Sequence, residues 1–470
     1  MVFASLLFLA IFLPINLIGY YLLRTTRLRN AWLILSSLVF YAWGEPIWIT
    51  LLIFSTLIDY IHGLLVQRFR GQFLAKLFVV SCLFINLGLL ATFKYGGFIV
   101  ENVNFLLGTS FGAPSFSLPI GISFYTFQSI SYVLDVYRGD HPAQRSYPKF
   151  LLFVSMYHQL VAGPIVRYSH IAAEIDNRVN TFKDFSSGVS RFCLGLFKKV
   201  AIANVAGELA HRFLDADLTS LSAGEAMFGL FAFSIQIYFD FSGYSDMAIG
   251  LGRMFGFHYH ENFNHPYIAK SATEFWRRWH ISLGTFFRDY VYIPMGGRKR
   301  RMYLNLFVVW FLTGLWHGAS WNFVLWGVFY GLLISIEKAF LGKLLDRLPG
   351  IVGHLYLLTA VLFGWAIFYF VDIGRLGDFL GAIAGQNPGP LIGREVMVVI
   401  SDHAIWLALA IVMCTPWPER VLRGLVGPEA GGRLAGIGDG LRIGFNALVL
   451  FICVAMLVGG TYNPFLYFRF

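Results

Sequence analysis

Residues 302–340 of this 470-residue chain are MYLNLFVVWFLTGLWHGASWNFVLWGVFYGLLISIEKAF. Two apolar segments, 302–316 and 318–340, meet at a single histidine, His317. A helix needs about 20 mostly apolar residues to cross the hydrocarbon core of a bilayer. The stretch therefore predicts two membrane helices with an ionisable side chain at their junction.

Segments of the same type recur along the whole chain. The remaining apolar stretches are 1–23, 30–44, 46–66, 73–94, 116–137, 148–166, 189–209, 224–252, 353–372, 395–414 and 442–460. Several are short, or are joined by a tight turn such as Gly44-Glu45-Pro46. We therefore predict an all-α polytopic membrane protein with about 11–13 membrane helices, some of them partial or re-entrant.

The composition and the charge distribution agree with this prediction. Only 13% of the residues are charged, whereas soluble domains carry about 25%. The net charge of +10 comes from short loops, which hold Arg24, Arg27 and Arg29, then Arg68, Arg70 and Lys76, then Arg298–Arg301. Short basic loops stay in the cytoplasm, so we predict a multi-pass protein of the cell inner membrane with its N-terminus outside. Basic residues spread over inter-helix loops do not indicate nucleic-acid binding.

Some polar residues lie where a membrane segment should exclude them. A charged side chain in mid-bilayer costs about 2.5–3.5 kcal/mol on insertion scales and needs a partner or a function. Asp240 and Asp246 fall inside the apolar run 228–251, and we expect them to satisfy buried polar partners. His317 lies between Gly314 and Gly318, whose four-residue spacing lets another helix or a substrate approach the backbone. A neutral imidazole there can take a proton near neutral pH, although a histidine hydrogen-bonded inside the helix bundle fits the pattern too.

The segment from Asn262 to Arg301 combines aromatic and basic residues. Trp276, His280, Leu283 and Phe287 follow helical spacing, which predicts one apolar face of a helix at the cytoplasmic interface. Its basic residues are Arg277, Arg278, Arg288, Arg298, Lys299, Arg300 and Arg301. They can anchor the helix among lipid headgroups or bind an anionic ligand, and composition alone does not separate these functions.

Three histidines raise the question of a metal site. His258, His260 and His265 lie close together, and His-x-His can place two imidazoles on one ion. No acidic or thiol side chain near them has suitable spacing. We predict no metal site.

A series of motifs follows in order along the chain: PIGISFYTFQ (119–128) with YRG (137–139), AGPI (162–165), YFDFSGYSD (238–246), Asn262-Phe263, Pro266-Tyr267, EFWRRWHISL (274–283), RDYVYIP (288–294), LWHG (315–318) and NPFLYFRF (463–470). These motifs give the chain its resemblance to the membrane-bound O-acyltransferase (MBOAT) family, and within it most of all to the bacterial branch that includes the membrane subunit of alginate O-acetylation and the D-alanyl transferase of teichoic acids. The motifs extend over nearly the whole chain, so we expect a single domain over 1–470, with the motif region at 116–340 and additional helices at 341–470.

The resemblance implies roles for individual residues. It places the family's invariant histidine at His317, as the general base, and its second, frequently essential histidine at His280. His280 would orient His317 or polarise the thioester carbonyl, and both remain open. Asn322, with Asp240 and Asp246, would support the site. The donor's phosphates would be held by Arg277, Arg278, Arg298, Lys299, Arg300 and Arg301. It also implies a funnel with a tunnel joining a cytoplasmic donor to an acceptor on the far side.

The resemblance implies transfer of an acetyl group from a cytoplasmic thioester, with acetyl-CoA as the donor substrate, for O-acetylation of an extracytoplasmic polysaccharide such as alginate. A periplasmic acetyltransferase partner resembling SGNH hydrolases would complete the transfer within a polysaccharide biosynthesis complex, with no permanently bound cofactor. D-alanylation of teichoic acid and O-acetylation of peptidoglycan are alternatives within the family. A transporter or channel, or a scaffold for a polymer synthase, is an alternative outside it.

Overall fold

The computed structural model describes residues 1–114, 116–161, 163–418, 420–421, 433–460 and 465–466, with the backbone alone at 433–439. Ala162 of the AGPI motif, and all of the C-terminal motif except Phe465 and Leu466, lie outside these residues. Within the described ranges the chain is helical and forms no strand. The all-α prediction is confirmed.

The α-helices follow one another in this order: α1 (Leu13–Leu22), α2 (Thr26–Gly44), α3 (Ile49–Arg68), α4 (Phe73–Leu90), α5 (Gly96–Leu107), α6 (Ile122–Arg138), α7 (Tyr147–Ser155), α8 (Tyr157–Leu160), α9 (Tyr168–Asn177), α10 (Phe182–Phe197), α11 (Val205–Leu214), α12 (Ala223–Met254), α13 (Ala272–Arg278), α14 (Ile281–Phe287), α15 (Met302–His317), α16 (Trp321–Ile336), α17 (Gly342–Leu345), α18 (Gly350–Tyr369), α19 (Ile373–Ile383), α20 (Arg394–Asp402), α21 (Ala404–Met413) and α22 (Arg433–Gly459). Single π-helical turns extend several of them, at Phe8–Phe12, Ala91–Tyr95, Lys198–Asn204, Arg288–Tyr292 and Glu337–Leu341. Such turns shift the helix face on which the following residues lie.

The length and the apolar composition of the helices identify the fold as that of a multi-pass membrane protein. Six helices of the described part are long and apolar enough to cross a bilayer, and a seventh span results if α20 and α21, bent by 71°, are counted together. The apolar helices Phe8–Leu22 and Met302–His317 are shorter. Further predicted segments are interrupted, as 148–166 is at Met156. These shorter and broken helices are of the kind that the prediction described as partial or re-entrant.

The chain forms two compact units, Met1–Phe192 with Ser245–His260, and Cys193–Tyr244 with Glu261–Phe470. The first unit has an aromatic core in which the rings of Phe8, Phe40 and Tyr157 lie 5.2–6.2 Å apart. The second unit contains both His280 and His317. The single-domain organisation stays a prediction.

Helices α15 and α16 pack against each other through glycines. A Cβ atom on Gly314 would clash with the Phe323 carbonyl oxygen and lie 3.2 Å from the Gly327 Cα. One on Gly327 would clash with the Trp310 carbonyl oxygen. The small-residue spacing seen in the sequence therefore serves close backbone packing, and this packing positions His317 at the end of α15.

Replacing Gly314 with alanine should destabilise this helix pair. The added methyl group meets backbone atoms that cannot rotate away, and overpacking of this kind costs about 1–3 kcal/mol. The measurement is the thermal unfolding temperature of the purified protein in detergent. Gly88→Ala in α4 is the matched control, because no heavy atom lies within 4 Å of its added Cβ and alanine is the better helix former. Equal unfolding temperatures for the two variants would contradict the packing argument.

Candidate active site

His317 is the last residue of α15 and is buried among aromatic rings. Its imidazole makes edge contacts with Trp316, Trp326 and Phe368, at centroid distances of 5.0, 4.9 and 5.3 Å. The side chain also borders a cavity of about 30 Å³, room for one or two water molecules. The other residues around this small cavity are Ile237, Asp240, Phe241, Trp279, Trp326, Trp365, Phe368, Phe465 and Leu466.

Asn322 holds one wall of the small cavity in place. It is fully buried, and its Nδ2 donates to the carbonyl oxygens of Ile367 at 3.3 Å and Phe368 at 3.2 Å. These carbonyls belong to the last turn of α18, where helical partners run out. Ser320 Oγ donates to Asn322 Oδ1. Asn322 thus fastens the start of α16 to the end of α18 and places the Phe368 ring beside His317.

Asp240 contributes a charged group to the small cavity. Its Oδ1 lies 2.6 Å from Lys199 Nζ, and both side chains are more than 90% buried. Its Oδ2 accepts the Leu466 backbone N–H at 2.8 Å. Asp246 is placed differently: it belongs to the first compact unit and forms an ion pair with Arg191 at 2.6 Å.

His280 lies between α13 and α14, in the left-handed backbone conformation with φ 46°. The predicted continuous helix through Trp276, His280, Leu283 and Phe287 is therefore wrong, since it stops at Arg278 and restarts at Ile281. The break is stabilised by the buried Asn262, whose carbonyl oxygen accepts the Ile281 N–H at 2.9 Å. All four predicted residues nevertheless line one cavity.

Asn262 also determines the state of the His280 ring. Asn262 Oδ1 accepts the Ser282 backbone N–H at 3.2 Å, which identifies this atom as the oxygen because an N–H can only donate. His280 Nδ1 lies 3.2 Å from the same oxygen and 3.4 Å from the Ser282 hydroxyl oxygen; in the tautomer that donates to the amide oxygen, Nδ1 carries the proton. Burial lowers the pKa of His280 to about 3, because desolvation disfavours the charged ring. The imidazole is neutral at pH 7.

His280 forms the inner end of a larger cavity of about 320 Å³. The mouth carries the exposed side chains of Arg277, Arg288 and Lys338. Its walls are Trp276, Leu283, Gly284, Phe287, Tyr292, Leu306, Val309, Trp310 and Thr313. Trp279 lines both this cavity and the small one. The Trp316 ring contacts both histidines, at centroid distances of 5.7 Å from His280 and 5.0 Å from His317.

The predicted donor-binding residues differ in their position relative to the larger cavity. Arg277 lines the larger cavity. Arg278 instead pairs with Glu274 at 2.9 Å and donates to the Asn264 carbonyl oxygen. The basic run Arg298, Lys299, Arg300 and Arg301 is exposed and does not belong to the cavity lining.

Sequence reasoning missed Lys338 and Asn262. Lys338 follows an apolar run and looks like a headgroup anchor, whereas it lines the larger cavity. Asn262 belongs to one of the motifs that carry the family resemblance, but sequence reasoning assigned it no role. Its place in that motif is the signal that could have identified it as a site residue.

The histidines considered for a metal site have other neighbours. His258 Nδ1 lies 2.8 Å from Glu174, and the His260 ring contacts the His170 ring at 4.3 Å. No group of three His, Cys, Asp or Glu side chains suited to a metal occurs in the described part of the chain.

Comparison with known proteins gives one family match and several relatives. The sequence model of the membrane-bound O-acyltransferase family matches residues 140–342. A probable alginate O-acetylase of Pseudomonas putida is 39% identical over 502 residues, which cover 100% of both chains. One of Azotobacter vinelandii is 44% identical over 382 residues, covering 78% of this chain and 75% of that protein. A peptidoglycan O-acetyltransferase of Helicobacter pylori is 34% identical over 424 residues, covering 82% of this chain and 80% of that protein. The family match contains both histidines and every residue that lines the larger cavity.

Proposed function

Because the chain belongs to the membrane-bound O-acyltransferase family, we propose that it moves an acetyl group from cytoplasmic acetyl-CoA across the membrane for O-acetylation of an extracytoplasmic polysaccharide such as alginate. The chain is a multi-pass membrane protein and an O-acyltransferase. One observation carries the finer proposal: a cationic cavity ends at His280, and the Trp316 ring contacts both His280 and His317.

In the proposed reaction His317 is the general base. The acceptor hydroxyl oxygen attacks the thioester carbonyl carbon while its proton passes to the imidazole. The carbon–sulfur bond then breaks, and the leaving thiolate takes the proton, so that an ester and a free thiol result. Proton transfer of this kind contributes typically 10²–10⁴-fold to the rate. With the proton on Nδ1, His280 Nε2 would accept a hydrogen bond and not donate one, and His280 would then orient the reacting groups rather than polarise the thioester carbonyl.

Trp279 lies between the larger cavity, which we call the donor cavity, and the small cavity at His317. Trp279 lines both cavities, and Trp316 contacts both imidazoles. A shift of the Trp279 side chain would join the two spaces into the tunnel that transfer requires. The indole would keep water away from the thioester while no acceptor is bound.

The relatives support a choice of polymer, and the family resemblance supports a choice of partner. The two alginate-type relatives are 39% and 44% identical to this chain, whereas the peptidoglycan-type relative is 34% identical. We therefore place alginate-like polysaccharides first and peptidoglycan second, with D-alanylation of teichoic acid as the remaining alternative. A periplasmic SGNH-hydrolase-like acetyltransferase would receive the acetyl group within a polysaccharide biosynthesis complex of the cell inner membrane. The N-terminus would lie outside. Arg277, which lines the larger cavity, would contact the donor, and Arg298, whose charge acts on the cavity residues Lys338 and Tyr292, would add to the positive potential there.

The test uses membrane vesicles of known orientation that contain the protein, its partners and the polymer. Radiolabelled acetyl-CoA supplied to the cytoplasmic face should yield labelled acetyl esters on polymer inside inverted vesicles. Right-side-out vesicles should show no incorporation, because the donor cannot reach the cavity. Equal incorporation in both orientations, or D-alanyl incorporation in place of acetyl, would contradict the proposal.

A further inference from the structure

One positively charged side chain of the larger cavity, Lys338, lies outside the basic segment 277–301. Lys338 is the second residue of the π-helical turn Glu337–Leu341, which follows α16. It lines the cavity together with Arg277 of α13, and the charges of Arg277, Arg298 and the adjacent Glu337 all act on it. Both side chains are exposed at the mouth.

These two charges have no acidic counterpart in the cavity. Among the described residues that line it, none is Asp or Glu. Arg288, the third cation, already pairs with Asp289 at 2.6 Å. Within the described residues, neither Arg277 nor Lys338 forms a salt bridge. Like charges beside a low-dielectric wall repel each other, and a bound anion removes the repulsion.

The neighbouring carboxylate holds the two cations in position. Glu337 is buried and accepts hydrogen bonds from the Ala272 N–H at 2.6 Å, the Thr273 N–H at 2.8 Å and the Thr273 hydroxyl at 2.6 Å. The Tyr356 hydroxyl donates a fourth at 3.0 Å. Glu337 thus caps the first turn of α13, the helix that carries Arg277, while the next residue in the chain is Lys338. One carboxylate therefore fixes the two backbone segments that carry Arg277 and Lys338.

We propose that Arg277 and Lys338 form a binding site for the phosphate groups of the acyl donor, with Glu337 as the positioning residue. This inference rests on the proposed function. A phosphate at the mouth leaves the acyl arm to extend along Trp276 and Trp310 toward His280. The ligand class is a phosphate-bearing pantetheine thioester, a group that free CoA shares with carrier-bound phosphopantetheine.

The experiment compares donors with and without phosphate. Lys338→Met should raise KM for acetyl-CoA about tenfold or more, the effect of losing one charge-assisted hydrogen bond, with kcat little changed. KM for S-acetylpantetheine, which lacks phosphate, should stay at the wild-type value. Lys338→Arg should restore the KM for acetyl-CoA. Lys343→Met is the matched control, since Lys343 does not line the cavity. Acetyl-phosphopantetheine shows whether the recognised phosphate is the one on the pantetheine arm or on the nucleotide.

An equal rise in KM for S-acetylpantetheine and acetyl-CoA would overturn the phosphate site. Failure of the proposed function is distinguishable, because the wild-type protein would then transfer acetyl from none of these donors. Binding of CoA itself to the purified protein supplies a second measurement that needs no acceptor. It should weaken about tenfold in Lys338→Met, and unchanged binding would contradict the site.

Discussion

Replacing His317 with alanine should reduce polymer acetylation by about 10²–10⁴-fold, the usual contribution of a general base. The imidazole is the titratable group that the structure places at the end of α15, between Trp316, Trp326 and Phe368. Alanine cannot take the proton of the attacking hydroxyl. Because His317 borders a small cavity, its removal enlarges an existing space, and the protein should still fold.

The measurement is the acetyl content of polymer isolated from cells that hold normal amounts of the variant in the membrane. His403→Ala is the matched control, since this histidine lies in the same compact unit, outside the lining of both cavities. The control variant should acetylate as the wild type does. Undiminished acetylation by His317→Ala would show that His317 is not the general base.

Replacing Asp240 with alanine should lower stability by about 3–5 kcal/mol, the range for leaving one partner of a buried ion pair uncompensated. Lys199 and Asp240 are both more than 90% buried, and their charged atoms lie 2.6 Å apart. The alanine variant retains the lysine charge in an apolar environment and loses the acceptor of the Leu466 N–H. Denaturation in detergent should show the loss as a lower unfolding temperature and less protein in membranes.

A double variant that removes both charges distinguishes a structural role of the Lys199–Asp240 ion pair from a role in the reaction. Replacing buried ion pairs by apolar residues of similar volume is often neutral or stabilising, so Lys199→Met with Asp240→Leu should recover much of the stability. If the pair is structural, the double variant also acetylates polymer. A folded but inactive double variant would show instead that Asp240 takes part in the reaction.

Helix positions could be predicted well where an apolar run alone determines them. The predicted segment 224–252 corresponds to Ala223–Met254, and 353–372 corresponds to Gly350–Tyr369. Burial of a long apolar run depends on the run itself, so local composition suffices. The break at His280 could not be predicted, because it depends on hydrogen bonds to Asn262, which lies 18 residues earlier in the chain.

Some residues of the candidate site could likewise be predicted from the sequence, and others could not. His317 could be singled out because an ionisable residue interrupts two apolar runs. The dense basic run at 298–301 suggested donor binding, but the structure places it in an exposed loop outside the cavity lining. Lys338 joins Arg277 only through the packing of α13 against the end of α16, which Glu337 mediates. The periodicity of apolar residues cannot reveal a contact of this kind between residues far apart in the sequence.

The most direct test of a donor cavity leading to His317 is a density map of the protein with a non-hydrolysable thioether analogue of acetyl-CoA bound. We expect phosphate density beside Arg277 and Lys338, the pantetheine arm along Trp276, and the carbonyl carbon within reach of a hydroxyl held at His317, about 3–3.5 Å from the attacking oxygen. An analogue bound elsewhere, or an acyl end separated from His317 by an unmoved Trp279 and Trp316, would contradict the account.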